Sequence, residues 1–232
     1  MNRNKKLTNQ DWKRLDTTLL WAYKNPVPAQ SSNLEIKRAE HFSLWLMIEG
    51  EVLCNLPDKS IDKAEAGKLV ATSPGVKRSQ QFSSGAYILS IAFNARWPGG
   101  INLFQQKKSI IANINDYPEL EHAAINLQEF ICGNYDPVYT KQPTAKAGFA
   151  VNTGMNIRFW EFLRQWHQFM KQHKCVPVVP EKTDPRLDAA VTILHRHHFN
   201  APLPYDQITR ATGISRSHFD RLFSQQFNLS PR

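Results

Sequence analysis

Short runs of apolar residues alternate with polar ones along residues 33–95, and turn-forming residues separate the runs. The period of two is clearest in residues 52–56 and 87–93, and it is typical of β-strands. Four groups between the runs can reverse the chain: Glu49-Gly50-Glu51, Pro57-Asp58, Ala66-Gly67-Lys68 and Ser73-Pro74-Gly75. Many short strands joined by turns predict a small β-barrel or jelly roll.

After residue 100 the spacing becomes helical. One helix is predicted from apolar residues three and four positions apart, which are Leu120, Ala123, Ala124, Leu127 and Ile131. Residues 133–154 are polar and predict a loop, and a second helix is predicted over residues 156–173. Its apolar stripe consists of Phe159, Leu163, Trp166 and Met170. Since an amphipathic helix must bury its stripe, these side chains either pack within the chain or form the contact of a homodimer.

Residues 175–183 contain two prolines and show neither the strand period of two nor helical spacing. This segment is predicted to be a linker between one domain at residues 1–174 and a second at residues 184–232. Asp184 can cap a helix that begins at Pro185. This helix has an apolar stripe at Leu187, Ala190, Val191 and Leu194.

A second short helix is predicted over residues 205–212, and Gly213 can adopt the left-handed conformation that ends it. Ser215 can then cap a third helix. Two helices joined by a three-residue turn form the helix-turn-helix layout.

The third helix has two faces by its spacing. Its apolar face consists of Phe219, Leu222, Phe223 and Phe227, and the opposite face carries Ser217, Asp220 and Arg221. Arg221 can donate two hydrogen bonds to guanine, Asp220 can accept one from cytosine, and Ser217 can do either. Arg216 and Arg210 are predicted to contact phosphates. Three-helix domains that never bind DNA also expose a polar face, so geometry alone leaves both interpretations open.

The run Gly213-Ile214-Ser215-Arg216-Ser217-His218-Phe219-Asp220-Arg221-Leu222-Phe223, followed by Leu229-Ser230-Pro231, resembles the first helix-turn-helix of AraC-type transcriptional regulators. The resemblance extends back to Asp184 and through Pro202-Leu203. Turns at Glu49-Gly50, Gly67-Lys68 and Pro74-Gly75 are similar to those of the cupin-like effector domains in such regulators.

The resemblance implies an α+β protein: an N-terminal cupin-like β-barrel or jelly roll with following helices, then an all-α helix-turn-helix domain. It implies a regulator that binds specific sequences of double-stranded DNA, responds to a small-molecule effector and forms a homodimer through the helices after the barrel.

This sequence departs from the family pattern in several places. The family normally has two helix-turn-helix units, whereas this sequence stops at Arg232, so we expect a fragment or an incomplete DNA-binding domain. Thr209 replaces a small residue, Pro204 replaces a capping serine, and Asn228 replaces a glycine.

Composition adds the charge. The 232 residues include 29 Lys and Arg against 20 Asp and Glu, and the net charge of +9 favours anionic partners. The cations are spread along the chain, so charge alone does not indicate DNA binding. No apolar run is long enough for a membrane helix, and we expect a soluble, cytoplasmic protein with no membrane partner. Cys54, Cys132 and Cys175 form no CxxC pair and are expected to be buried or half-buried thiols.

A metal-dependent cupin enzyme is the alternative from another class. The metal ligands of such an enzyme are mostly histidines on facing strands, but His41 is the only histidine in residues 41–95. Lys77 and Arg78 follow the Pro-Gly turn and would repel a metal. The cluster at residues 195–198 lacks an evident third ligand and is interpreted as a helix end. We therefore expect no catalytic residues, no metal and no cofactor.

A third possibility is a sensing or dimerising module without competent DNA binding. In either regulator or module, Trp45, Lys77 and Tyr87 are candidates for an effector pocket, since aromatic walls with few polar groups are common in small-molecule sites. Lys77 would attract an anionic effector. Trp45 and Tyr87 can instead be plain core residues, because which face a strand residue lies on depends on the register.

Overall fold

The computed structural model of the protein describes residues 6–29, 32–36, 40–55, 61–76, 78–97, 100–106, 108–135, 142–179, 184–195, 197, 201–227 and 230–231. The chain divides into two compact units. The sheet unit comprises Thr17–Ala95 and Phe104–Pro177, and the helical unit comprises Met1–Asp16, Arg96–Leu103 and Val178–Arg232. The domain bounds predicted from the sequence stay a prediction.

Strands within the described residues form two antiparallel sheets. They are β1 (Asp16–Pro26), β2 (Asn33–Ile36), β3 (Phe42–Glu49), β4 (Glu51–Asn55), β5 (Ile61–Glu65), β6 (Lys68–Thr72), β7 (Arg78–Phe82), β8 (Tyr87–Trp97), β9 (Ile101–Asn102) and β10 (Ile110–Asn113). The first sheet has the order β1-β8-β3-β6-β10, with β9 paired to β8, and the second has the order β2-β7-β4-β5. The predicted α+β class with an antiparallel β-structure is confirmed.

An apolar cluster joins the two sheets. Its buried members are Trp45, Met47, Val52, Cys54, Ala64, Val70, Phe82, Ala86 and Ile88. Both sheets contribute, since β3, β6 and β8 belong to the first sheet and β4, β5 and β7 to the second. The Trp45 ring meets the Phe82 ring edge to face at 5.4 Å. The two sheets therefore pack face to face across this cluster.

The edge strands of the first sheet were not predicted, since the predicted β-structure covers only residues 33–95. β1 and β10 lie at its two ends. In β1 only Leu19 and Ala22 are buried, three positions apart, and β10 has no buried residue. Strands with so few buried residues show no period of two, so alternation along the sequence does not mark them. The turns at Gly50, Gly67 and Gly75 have positive φ, as expected, whereas Pro57-Asp58 lies outside the described residues.

The long helices of the sheet unit are α2 (Pro118–Asn134) and α3 (Phe149–Gln172). All five apolar residues predicted to face inward on α2 are buried, which confirms that helix. α3 begins at Phe149 rather than at residue 156. The predicted loop over residues 133–154 is therefore wrong for residues 149–154, which are helical. Gly154 explains the error: a Cβ there would lie 2.7 Å from Phe130 of α2, and this close helix packing outweighs glycine's poor helix propensity.

One side of α3 packs on the aromatic face of the first sheet. The Trp166 ring lies 5.2 Å from Phe93 and 6.2 Å from Phe42. Phe159, Trp166 and Met170 are 2%, 0% and 0% exposed, and Leu163 beside them is half-buried. The proposed dimer contact through this stripe is therefore corrected, because the stripe packs within its own chain and leaves almost no surface for a second copy.

The helical unit contains α1 (Asn9–Trp12), α4 (Pro185–His195), α5 (Tyr205–Thr212) and α6 (Arg216–Phe227). Residues 175–179 form neither helix nor strand. No helix of the described chain is both long and apolar enough to cross a membrane. Cys54 is buried and Cys175 half-buried as expected, but Cys132 is exposed, since it lies on the outer side of α2.

Candidate nucleic-acid interface

Asp184 fixes the start of α4. Its Oδ1 accepts a hydrogen bond from the backbone N–H of Arg186 at 3.0 Å, and its Oδ2 lies 2.6 Å from the Arg186 guanidinium. These bonds to the charged carboxylate lower the pKa of Asp184 to about 2. The predicted cap and the start at Pro185 are confirmed.

A small core holds the helices of this unit together. Leu187, Ala190, Ile208, Ile214 and Phe219 are buried in one cluster, and Leu222 and Phe223 pack against it. Phe227 is also buried. The apolar face predicted for α6 is therefore its inward face.

The turn between α5 and α6 contains the predicted left-handed glycine, Gly213, and the predicted helix cap, Ser215. Gly213 lies in the left-handed region, with φ 68° and ψ 12°, and its N–H donates to the Thr209 carbonyl at 2.9 Å. Ser215 Oγ accepts from the His218 N–H at 3.4 Å, at the start of α6. The side chain of Thr212 spans the turn, since its hydroxyl donates to the Ile208 carbonyl and accepts from the Ile214 N–H.

Tyr205, the first residue of α5, connects three side chains. Its hydroxyl donates to Asp220 Oδ1 at 3.0 Å, and the guanidinium of Arg216 lies 4.1 Å from its ring centroid. Its ring meets the buried Phe219 edge to face at 6.2 Å. Tyr205 therefore couples the start of α5 to the first two turns of α6.

The predicted DNA-contacting residues divide into two groups. Ser217 and Arg221 are exposed one helical turn apart on α6. Arg216, at the start of the same helix, and Arg210, on α5, are exposed as well. Arg210 Nε donates to the backbone carbonyl of Asp206 at 3.3 Å. Asp220 is half-buried and bonded to Tyr205. Among the residues of α6 predicted to contact DNA, the exposed side chains are thus a hydroxyl and cations, while the one carboxylate has a partner within the unit.

Tyr205 is a residue that sequence reasoning missed. It lies fifteen positions before Asp220 and on another helix. Helical spacing brings together only residues of one helix, so no local pattern indicates this contact.

The predicted effector pocket does not form from its three residues. Trp45 lies opposite Ser90, whereas Tyr87 lies three positions before Ser90 on the same strand. Successive side chains alternate between faces, so Trp45 and Tyr87 lie on opposite faces of the sheet. Trp45 is a core residue, and the Tyr87 hydroxyl donates to the Lys24 carbonyl at 3.4 Å. Lys77 lies outside the described residues.

A cavity of about 500 Å³ lies elsewhere in the sheet unit, between the segment before β10 and the turn after α3. It is lined in part by Gln106, Lys108 and Ser109, and by none of the residues predicted to bind an effector. No sequence motif marks it.

The histidine cluster at residues 195–198 falls largely outside what the structure describes. Among the described side chains, no group of three or more His, Cys, Asp or Glu is placed to hold a metal ion.

Comparison with known proteins gives no family assignment. No protein-family model matches the sequence. No curated protein matches it either.

Several solved structures are similar at low scores. An apo form of ToxT from Vibrio cholerae, carrying one lysine-to-alanine substitution, is 11% identical, with 94% of each chain covered and a TM-score of 0.33. The AraC-like transcriptional activator CuxR is 16% identical, with 79% of this chain and 60% of that chain covered and a TM-score of 0.32. A serine-to-alanine mutant of oxalate decarboxylase OxdC from Bacillus subtilis is 15% identical over 51% of this chain and 30% of its own, with a TM-score of 0.24. Likeness of this size does not establish a common fold.

Proposed function

We propose that this protein is a transcription regulator that binds specific sequences of double-stranded DNA through its helical unit and a small-molecule effector through a cupin-like sheet unit. The observation that carries the proposal is the α5-turn-α6 pair, in which α6 exposes Ser217 and Arg221 on the side away from the core. The resemblance of residues 213–231 to AraC-type regulators agrees with it. The protein is proposed to be cytoplasmic and not an enzyme.

In this proposal α6 enters the major groove. Arg221 donates to a guanine edge, and Ser217 contacts a neighbouring base. Arg216 and Arg210 contact phosphates, which hold the helix in register without adding base preference. Asp220 takes a different role from the one its spacing indicates: its bond to Tyr205 makes it a positioning residue for α6.

Regulation would follow from differential affinity. An effector that binds one arrangement of the protein more tightly than another increases the population of the arrangement it prefers. If the two arrangements also differ in their affinity for DNA, the effector changes the DNA affinity, and the coupling free energy between the two sites sets the size of the change. A homodimer remains part of the proposal, since operators for helix-turn-helix proteins commonly contain two half-sites.

Fluorescence anisotropy with random duplex DNA, before and after rounds of enrichment for bound sequences, tests the proposal. We expect affinity that falls as the salt concentration rises and a sequence motif that emerges on enrichment. Binding without any motif would contradict sequence-specific recognition. No binding at low salt would favour a sensing module over a regulator.

Variants of α6 test the assigned roles. Arg221→Ala should weaken binding to the enriched site by about 1–3 kcal/mol and relax preference at one base pair, because a bidentate contact is lost. Arg216→Ala should weaken binding to all sequences alike. Arg164→Ala is the matched control, since this exposed arginine lies on α3 and its loss changes the net charge equally. Equal losses of preference in the two α6 variants would reject the roles.

A further inference from the structure

A third residue of α6 continues the row that Ser217 and Arg221 begin. Gln225 lies on the same helix, four positions after Arg221 and eight after Ser217. Residues four positions apart lie on one face of a helix, so the three side chains form a single row. Gln225 is exposed, as the other two are. The exposed row is therefore one turn longer than the pair on which the proposed function rests.

This row lies on the side of α6 that makes no contact with the core or with α5. Phe219 marks the core side of the helix and is fully buried. The neighbouring row faces α5, because the Arg216 guanidinium lies 4.1 Å from the Tyr205 ring centroid and Asp220 accepts a hydrogen bond from the same tyrosine. The row that ends at Gln225 is left on the outer side, where a DNA groove can be reached.

The length of the row fits several base pairs of a major groove. An α-helix rises about 1.5 Å per residue, which places Gln225 about 6 Å along the axis from Arg221 and about 12 Å from Ser217. Stacked base pairs are about 3.4 Å apart, and the major groove is wide enough to hold an α-helix. In a helix that lies along the groove, Gln225 is therefore about two base pairs beyond the one that Arg221 contacts.

The side chain of Gln225 has both the reach and the chemistry for a base contact. Recognition helices contact bases mainly through their N-terminal residues, so a residue near the end of α6 needs a long side chain to touch a base. Ser224, which is exposed beside it, is too short and suits donors and acceptors alike. The glutamine amide offers a donor and an acceptor together, and this pair matches N7 and N6 of adenine in the major groove.

We propose that Gln225 is a specificity-determining residue that recognises an adenine about two base pairs from the guanine contacted by Arg221. Its amide N–H donates to adenine N7, and its amide oxygen accepts from the adenine N6 amino group. The inference rests on the proposed function, because it requires α6 to lie in the major groove. It extends the sequence that α6 recognises by one base pair of defined identity.

Competition between the enriched DNA site and the same site with guanine in place of this adenine measures the preference. The wild type should prefer adenine by about 5- to 150-fold, the range of a good bidentate contact. Gln225→Ala should lose this preference and keep the preference for guanine at the Arg221 position. Gln226→Ala is the matched control, since this neighbouring glutamine is half-buried on another side of α6, and it should keep both preferences.

Gln225→Glu distinguishes a base contact from a structural role. A carboxylate accepts but does not donate, and the base edge that it suits is the amino group of cytosine. The preferred base at this position should therefore change from adenine to cytosine, whereas a loss of fold would weaken binding to all sequences alike. Thermal unfolding followed by circular dichroism should give a midpoint for Gln225→Ala near that of the wild type, because substitutions of exposed residues seldom change stability.

A modified base tests the hydrogen bond itself. 7-Deazaadenine lacks the N7 acceptor, so at this position it should weaken binding of the wild type and leave the affinity of Gln225→Ala unchanged. Equal weakening of both proteins would show that another group contacts N7, and would overturn the assignment. Retention of the adenine preference in Gln225→Ala would overturn it too, as would an enriched motif with no adenine within about three base pairs of the guanine.

Failure of this inference is distinguishable from failure of the proposed function. A sequence motif that Arg221→Ala relaxes and Gln225→Ala leaves unchanged would contradict the role of Gln225 alone. A protein that binds no DNA, or that binds DNA without any motif, would overturn the proposed function and this inference with it.

Discussion

At the residue scale, Gly213 sets the geometry of the candidate interface. Its φ of 68° lies in the left-handed region, and a Cβ there would meet no atom within 4 Å. Any cost of a side chain at this position therefore arises from the backbone conformation and not from crowding. Gly133 on α2 has equally open surroundings but no positive φ, which makes it a matched control.

We expect Gly213→Ala to lower the free energy of unfolding of the helical unit by about 1–2 kcal/mol, the cost of left-handed backbone for an L-residue. Gly133→Ala should raise stability by up to about 1 kcal/mol, because alanine favours the helix. Urea unfolding followed by circular dichroism measures both. A neutral Gly213→Ala would show that this turn is not fixed in solution.

Two histidines make the stability of the protein depend on pH: His167 lies within α3, and His173 caps the end of that helix. Burial lowers the pKa of His167, with a smaller effect from Lys171, and burial also lowers the pKa of His173. The ordinary value is about 6.5, so below it the unfolded chain binds protons that the folded chain resists. Stability is therefore complete above about pH 6.5 and falls as the pH drops below it.

The pH dependence can be measured between about pH 7.5 and pH 5.5, on either side of the ordinary histidine value. The carboxylates with lowered pKa, Asp184 and Glu161, start from ordinary values of 3.8 and 4.5 and so titrate below this window. In a double variant, His167→Gln with His173→Gln, the free energy of unfolding should decrease less as the pH falls from about 7.5 to about 5.5 than it does in the wild type. His122→Gln, an exposed histidine on α2, serves as the control. An unchanged slope in the double variant would refute this account.

At the scale of elements, α3 is the helix with two distinct faces. One face buries Phe159, Trp166 and Met170 against the first sheet, while Ile157 and Trp160 remain 64% and 54% exposed. The apolar residues that helical spacing selects first are thus structural, and the exposed ones fall outside that stripe.

Two tryptophans of α3 give a direct test of its orientation. Trp166→Ala should cost about 3–5 kcal/mol of unfolding free energy, because it opens a cavity among packed aromatic rings. Trp160→Ala should change stability by less than about 0.5 kcal/mol. Chemical unfolding measures both, and sedimentation velocity of the two variants reports whether either residue affects self-association. Similar losses of stability would contradict the orientation.

At the scale of the whole molecule, the net charge of +9 is spread along the chain, and the proposed DNA contacts use few of the 29 cations. Affinity should therefore depend on salt through the phosphate contacts of Arg210 and Arg216, and not through the overall charge. Each phosphate contact contributes about 0.9 to the slope of log affinity against log salt.

Arg210→Ala should reduce the magnitude of that slope by about 1, since one counterion fewer is released. Arg164→Ala on α3 should leave the slope unchanged. Anisotropy titrations over a series of salt concentrations provide the measurement. Equal changes in the two variants would indicate nonspecific attraction by net charge.

Sequence patterns predict well where a residue's role depends on its neighbours along the chain. The cap at Asp184, the bounds of α5 and the left-handed Gly213 follow from local preferences of single residues, and all are found. The buried face of α2 follows from its helical spacing in the same way. Edge strands β1 and β10 escape prediction because few or none of their residues are buried and no buried face alternates with an exposed one.

The sequence by itself determined the β-structure within residues 33–95 and the helices α2, α4, α5 and α6, together with the turn that places Ser217 and Arg221 on one side of α6, since local propensity and periodicity are enough for each. Only the tertiary structure decided that Trp45 and Tyr87 lie on opposite sheet faces, that α3 buries its stripe within the chain, and that Tyr205 holds Asp220. Those facts depend on strand register and on contacts between residues far apart in sequence, which no local pattern encodes.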